Sequence, residues 1–177
     1  EKGRKLAVLK IARMGHPTLM GIAQPVLDPK DPEIRRLAAD MVDTMNDAPG
    51  IGLAAPQVHV PLRMVIYMVP ESRTEDGSGH PLTVLINPEI SVLDETTETG
   101  VEGCLSLPGM LGKVARPRHI RIRALDLDGN TLDYEAVGFH ARVVQHECDH
   151  LDGVLYPMRM DDLASFGYVE EMTKQAE

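Results

Sequence analysis

The segment His146-Glu147-Cys148-Asp149-His150 carries the strongest structural signal in this sequence of 177 residues. Its two histidines are four residues apart, so on an α-helix both imidazoles point to one side, within roughly 40° of each other. Glu147 lies close to the same face and can reach a water molecule on an ion that both rings hold. The spacing therefore predicts a metal-binding helix with Glu147 as a general base.

The residues around this segment predict the limits of the helix. Gly138 precedes it, Val143, Val144 and Leu151 follow at helical spacing, and Gly153 is typical of the position after a helix end. This pattern makes a chance match, or a merely polar helix surface, the weaker explanation of the five-residue motif.

A third metal ligand must come from elsewhere, because catalytic sites of this type generally have three protein ligands. Cys148 points roughly 200° away from His146 on a helix and is predicted to be a packing residue. Cys104, in Glu102-Gly103-Cys104-Leu105-Ser106, is followed by turn-forming residues and can present a thiolate at a strand end. Glu170 or Glu171, which follow the motif by about twenty residues, are the alternative third ligand.

Further elements give the fold class. A helix is predicted to begin after Asp31, with Pro32 at its first position, and to end before Pro49. Strands are predicted at residues 64–69, 82–86, 120–126 and 131–137, with loops at 50–57 and 71–81, a turn at 127–130, and a last helix after Asp161. Strands in the middle and helices towards the ends predict an α+β fold. The length suits one catalytic domain spanning residues 1–177.

Composition excludes several classes of protein. A net charge of -9 and a pI near 5.2 argue against binding to nucleic acid or to an anionic membrane. Two cysteines cannot form a disulfide framework, which favours a reducing compartment. The charged residues 1–5 and the short apolar run after them do not form a signal peptide or a membrane span. We expect a cytoplasmic protein; because residue 1 is Glu, an organellar location is the alternative if a transit peptide was trimmed.

Three ordered segments, residues 50–57 (GIGLAAPQ), 102–106 (EGCLS) and 145–150 (QHECDH), together resemble the peptide deformylase family. Residues 14–17 (MGHP) are similar to the N-terminal segment of that family, so the resemblance covers nearly the whole chain. It implies removal of the N-formyl group from the initiator methionine of new polypeptides, with release of formate. It also implies an α+β fold with mixed or antiparallel sheets packed around a central metal-binding helix.

The resemblance also implies roles for individual residues. One divalent ion per chain, Fe2+ in cells and Zn2+, Ni2+ or Co2+ as substitutes, is bound by Cys104, His146 and His150. Glu147 acts as base and then as acid. The side-chain amide of Gln57 and the backbone N–H of Leu105 donate to the oxyanion. The implied partners are N-formylmethionyl nascent peptides, met at the ribosome, and the residues expected to contact them are Gly50, Ile51, Gly52, Glu102, Gly103 and Val143. Of these, Ile51 and Val143 are expected along an apolar pocket for the methionine side chain.

One position departs from the family pattern. Bacterial members commonly carry an arginine where this chain has Leu111, so the peptide must be anchored differently, and Lys113 and Arg116 are the candidates to replace that arginine. The alternatives are therefore a deformylase-like paralogue, with an altered acyl substrate or a non-catalytic binding role, and an HExxH zinc peptidase that uses Glu170 or Glu171 as third ligand.

Overall fold

The computed structural model describes residues 5–174. Residues 1–4, part of the charged start for which no signal peptide is predicted, lie outside this range. The strands are β1 (Gly52–Ala54), β2 (Met64–Val69), β3 (His80–Cys104), β4 (Leu107–Leu125), β5 (Thr131–Val137) and β6 (Gly167–Tyr168). The α-helices are α1 (Pro32–Asp47), α2 (Gly138–Leu151) and α3 (Val169–Thr173). Short 3-10 helices lie at Pro17–Leu19, Ala55–Val58, Glu71–Arg73, Tyr156–Arg159 and Leu163–Ser165.

The sheet is antiparallel, with strand order β1-β2-β3-β4-β5 and with β6 paired to β4. On one side of the sheet, α2 contributes Ala141, Val144 and Leu151 to an apolar core shared with Tyr67 and Ile122. The predicted α+β class, with strands packed around the motif-bearing helix, is confirmed. Among residues 5–174, no helix is both long enough and apolar enough to cross a membrane.

Helix α1 begins and ends where the sequence predicts. The Asp31 side chain accepts a hydrogen bond from the backbone N–H of Glu33 at 2.9 Å, and Pro32 occupies the first turn, where its missing N–H is not needed. Met41 and Met45 are buried in a second core with residues of β1 and β2. Helix α1 thus supports the edge of the sheet that carries residues 52–54.

The two longest strands extend far beyond their predicted parts. β3 has 25 residues and β4 has 19, and they pair with several register irregularities. The predicted segments 82–86 and 120–126 contain the buried ends of these strands. Residues 91–99 are exposed, so they lack the one-sided apolar alternation on which a strand prediction depends.

Two other predictions were wrong in part. The expected loop at residues 50–57 contains strand β1 and a 3-10 helix, because Leu53 is fully buried where β1 pairs with β2. The expected helix after Asp161 is a 3-10 turn capped by Asp162, then β6, then the short α3. Gly167 pairs there with Leu111 of β4, which interrupts the helical pattern.

The end of α2 agrees with the prediction. Gly153 follows the helix with φ of 73°, a conformation that favours glycine. A Cβ at this position would also lie only 2.6 Å from the backbone oxygen of Met20. This close approach packs the chain segment near residue 20 against the end of the motif-bearing helix.

A polar group, which we call the Tyr67 cluster, lies between the sheet and the start of α2. The hydroxyl of Tyr67 lies 2.5 Å from that of Tyr134 and 2.9 Å from Nε2 of His140, and His80 stacks on the Tyr67 ring. Burial lowers the pKa of His140 to about 4 and also lowers the pKa of His80. Both imidazoles are therefore neutral near pH 7.

Candidate metal centre and active site

Cys104, His146 and His150 come together although they lie on separate elements. Cys104 ends β3, and the two histidines lie one turn apart on α2. One ligand atom from each residue lies within 4.8 Å of the others, and Sγ of Cys104 is 3.4 Å from Nε2 of His150. Among residues 5–174, no other group of three or more His, Cys, Asp and Glu side chains is placed to share an ion. Glu170 and Glu171 are exposed on α3 and lie outside the donor group.

The chemistry of the three donors fits a divalent transition metal. One thiol and two imidazoles are a ligand set that iron, zinc, cobalt and nickel all accept. Burial lowers the pKa of His150 well below its usual value, so that ring is neutral, which is the form that binds metals. Burial opposes a charge on His146, but hydrogen bonds to Cys104 and Glu102 outweigh it and raise its pKa to about 10. That proton would be released when an ion binds.

Glu102 orients one of the three donors. Its Oε1 accepts a hydrogen bond from Nδ1 of His146 at 2.7 Å, which leaves Nε2 of the ring for a metal. Arg116 donates to both oxygens of Glu102, at 2.6 and 2.8 Å, and Arg142 donates to Oε2 at 2.7 Å. Burial would raise the pKa of Glu102, but the hydrogen bonds from Arg116 and His146 hold it at about 2. We predicted a substrate contact here; Glu102 lies on the cavity wall, but its carboxylate is occupied by these partners.

The ion pairs continue from Glu102 to the surface. Arg116 donates to Asp149 at 2.9 Å, and the half-exposed Arg159 donates to both oxygens of Asp149, at 3.0 and 2.9 Å. Arg116 is buried and its guanidinium is bonded to Glu102 and Asp149. It therefore does not take the place of the family arginine at the position where this chain has Leu111. Lys113 is exposed and does not line the cavity either. Sequence reasoning missed this network because its members meet only when β3, β4, α2 and the 3-10 helix Tyr156–Arg159 pack together.

Glu147 is buried beside the three donors. Its Oε2 has no hydrogen-bond partner among the residues that the structure describes. Burial raises the pKa of Glu147 to about 7. Gly52 of β1 leaves room for this carboxylate, because a Cβ at position 52 would lie only 2.7 Å from Cδ of Glu147 and closer still to Oε1. A buried carboxyl group with a pKa near neutrality, and with one oxygen unpaired, is suited to accept and return a proton.

The amide nitrogen of Gln57 faces the metal-ligand candidates and lies close to Cys104. Its Oε1 accepts a hydrogen bond from the backbone N–H of Ala54 at 2.9 Å, which fixes which end of the amide faces the site. Its Nε2 donates to Oγ of Ser106 at 3.0 Å and lies 3.5 Å from Sγ of Cys104. No role for Ser106 was predicted from the sequence. It is one of the turn-forming residues predicted after Cys104, and its hydroxyl fixes the amide.

A cavity of about 710 Å³ opens onto these residues, within the usual range for ligand pockets. Every predicted site residue except the buried His150 lines it, namely Gly50, Ile51, Gly52, Gln57, Glu102, Gly103, Cys104, Leu105, Val143, His146 and Glu147. The wall also includes side chains that the sequence analysis did not single out: Arg73, Val101, Leu107, Met110, Phe139, Arg142 and Val169. The cavity is therefore mainly apolar, with the donors, Glu147 and Gln57 converging on it.

Comparisons with known proteins agree with this geometry. The sequence model of the family described as Polypeptide deformylase matches residues 8–166. The chain belongs to the polypeptide deformylase family. Peptide deformylase 1 of Bordetella pertussis is 51% identical over 161 residues, which are 90% of this chain and 92% of that protein. Peptide deformylase 1 of Nitrosomonas europaea is 48% identical over 92% of this chain and 93% of its own length.

Solved structures of the family share the fold. A class I type b peptide deformylase from Acinetobacter baumannii, determined with Met-Ala-Ser bound, superposes with a TM-score of 0.82 at 36% identity, covering 88% of this chain and all of that one. The peptide deformylase of Ehrlichia chaffeensis gives a TM-score of 0.82 at 32% identity, covering 97% of this chain and 98% of its own. Members of this family are metalloenzymes that hydrolyse the N-formyl group of N-formylmethionyl peptides.

Proposed function

We propose that this chain hydrolyses the N-formyl group of N-formylmethionyl peptides with an ion held by Cys104, His146 and His150. The observation that carries the proposal is the group of three donors beside Glu147, a buried carboxyl group with an unpaired oxygen, at one end of a mainly apolar cavity. No feature of residues 5–174 favours the zinc peptidase, since Glu170 and Glu171 lie outside the donor group.

Glu147 moves the proton. A divalent ion held by Cys104, His146 and His150 would supply the electrophilic chemistry, because such ions lower the pKa of water from 15.7 towards about 7 and polarise carbonyl groups. Glu147, whose pKa burial raises to about 7, takes a proton from the attacking water and later gives it to the leaving amine. A group that takes up a proton and then gives it back must be neither a strong acid nor a strong base. Burial gives Glu147 this property, because it raises the pKa of its carboxyl group to about 7.

Gln57 and Leu105 stabilise the oxyanion that forms when the formyl carbon is attacked. The Nε2 donor of Gln57 is fixed towards the donors by Ala54 and Ser106. Leu105 follows Cys104 directly in the turn between β3 and β4 and lines the cavity. In other enzymes, removal of one such hydrogen-bond donor has raised the energy of the transition state by roughly 3 kcal/mol.

The peptide backbone lies along the free edge of β1. Among residues 5–174, β1 is an edge strand of the sheet and pairs with β2, and residues Gly50, Ile51 and Gly52 line the cavity, so a substrate can pair with them as an added strand. Gly103 faces the same space from the end of β3. Ile51 and Val143 line it as well and are the residues we assign to the methionine side chain.

The finer points rest on the family resemblance. We infer that Fe2+ is the ion in cells, with Zn2+, Ni2+ or Co2+ as substitutes, since the ligand set accepts all four. We also infer that the substrates are nascent chains met at the ribosome in the cytoplasm, and that residues 1–177 act as one catalytic domain.

The test combines turnover with metal content. Wild-type protein, purified without oxygen and loaded with Fe2+ or Ni2+, is expected to release formate from formyl-Met-Ala-Ser. Glu147→Gln keeps the size of the side chain but cannot accept the proton, so turnover should fall at least 10²-fold while the ion stays bound. Cys148→Ala changes a neighbour that is not in the donor group and should change neither quantity greatly. Formate release by Glu147→Gln at the wild-type rate would contradict the proposal.

A further inference from the structure

We propose that Arg73 is a specificity residue that binds a carboxylate of the peptide substrate. The inference rests on the proposed function, because it concerns the same cavity. Arg73 ends the 3-10 helix after β2 and lines the cavity that holds the donors. Its Cζ atom lies 3.8 Å from the ring centroid of Phe139, which lines the cavity at the start of α2. The contact holds the guanidinium at the cavity wall.

Arg73 is the available cation of this wall. Among residues 5–174, two arginines line the cavity, and Arg142 is already engaged, because it pairs with Glu102 and donates to the backbone oxygens of Val114 and Glu98. The guanidinium of Arg73, in contrast, has no hydrogen bond and no ion pair with any residue from 5 to 174. Its ring contact leaves the N–H donors, which lie in the guanidinium plane, free for a ligand.

The charges of the cavity favour an acidic group at this place. Glu102 is neutralised by its arginine and histidine partners, and Glu147 follows the metal-ligand candidate His146 directly on α2. Leu111, which also lines the cavity, adds no charge. A guanidinium binds a carboxylate through two parallel N–H donors, a geometry that a single backbone carbonyl cannot match. The net charge of -9 disfavours acidic peptides in general, so a preference for them would indicate a local cation such as Arg73.

The carboxylate can belong to the C-terminus of a short peptide or to an acidic side chain after the formylmethionine. Two matched pairs of peptides separate these sources. The first pair is formyl-Met-Ala-Ser with a free carboxylate and as its amide. The second is formyl-Met-Ala-Glu-amide and formyl-Met-Ala-Gln-amide. We expect the wild-type protein to show a kcat/KM about threefold to fivefold higher for the acidic member of at least one pair, the size of effect that an exposed ion pair gives. The difference should lie in a lower KM and not in kcat. The ratio should shrink at 0.5 M salt (about three times the physiological ionic strength).

Three variants test the residue itself. Arg73→Met keeps an apolar chain over Phe139 and should bring the acidic-to-amide ratio close to one. Arg73→Lys keeps the charge without the fork and should retain part of the ratio. Arg36→Met removes an exposed arginine of α1, so it lowers the net charge equally, and should leave the ratio as in the wild type.

The outcomes distinguish this inference from the proposed function. A ratio that survives in Arg73→Met, or a wild-type protein that hydrolyses all four peptides equally well, would overturn the role of Arg73 and leave the deformylase activity standing. No formate from any of the four peptides would overturn the function itself. A ratio in one pair only would support the inference and identify the source of the carboxylate.

Discussion

Gly52→Ala should inactivate the protein without removing its metal. A Cβ at this position would lie 2.7 Å from Cδ and 2.9 Å from Cγ of Glu147, whereas ordinary contact begins near 3.4 Å. The carboxyl group must therefore move by about 0.7 Å or more. Glu147 is buried and lines the cavity, so the methyl group would push its carboxyl group out of its place beside the metal-ligand candidates. A misplacement of about 1 Å in a catalytic group can cost 10²-fold in rate, and overpacking costs about 1–3 kcal/mol of stability.

The assay measures kcat for formate release, metal content and the urea midpoint of the same preparations. Gly52→Ala should lose at least 10²-fold in kcat with one ion still bound, because no donor to the ion is changed. Gly21→Ala is the matched control, since a Cβ there would meet no atom within 4 Å. A Gly52→Ala protein with a kcat within threefold of the wild type would refute the placement of Glu147 against β1.

Two further predictions concern other buried groups. Glu102→Gln removes the charge that orients His146 and balances two buried arginines, so metal affinity, measured by chelator competition, should fall about 10–100-fold. The exposed control Glu135→Gln should leave the affinity unchanged. An unchanged affinity in Glu102→Gln would contradict the prediction. Burial lowers the pKa of His140 from 6.5 to about 4, so the unfolded chain binds the extra proton and stability is lost as the pH falls from about 6.5 to 4. Because part of this ring is exposed, we expect His140→Gln to remove only about 1 kcal/mol of that loss in urea unfolding, and an unchanged pH profile would count against the buried neutral ring.

The parts of the fold with strong local signals could be predicted from the sequence. Helix α1 has its cap at Asp31, and α2 ends before Gly153 as its pattern indicates. The full length of β3 and β4 could not be predicted, because pairing between the strands, and not an apolar face, keeps residues 91–99 extended. The helix expected after Asp161 is interrupted by its pairing with β4, a contact between distant parts of the chain.

The same division applies to the site. The two histidines and Glu147 are set by local helical spacing, and Cys104 is added by a turn signal together with the family resemblance. The surrounding residues are not local. Arg116 and Arg142 reach Glu102 from β4 and α2, across 14 and 40 residues of sequence. Such side chains look like ordinary surface arginines in a single sequence, and only the packed structure shows that they are buried.

The central claim is that Cys104, His146 and His150 bind one ion together. It is tested most directly by diffraction from metal-loaded crystals at the absorption edge of the bound metal. We predict a single anomalous peak per chain within about 2.0–2.4 Å of Sγ of Cys104 and of one ring nitrogen of each histidine. A peak bound by Glu170 or Glu171, or one that lies beyond bonding distance of the Cys104 sulfur, would contradict the account.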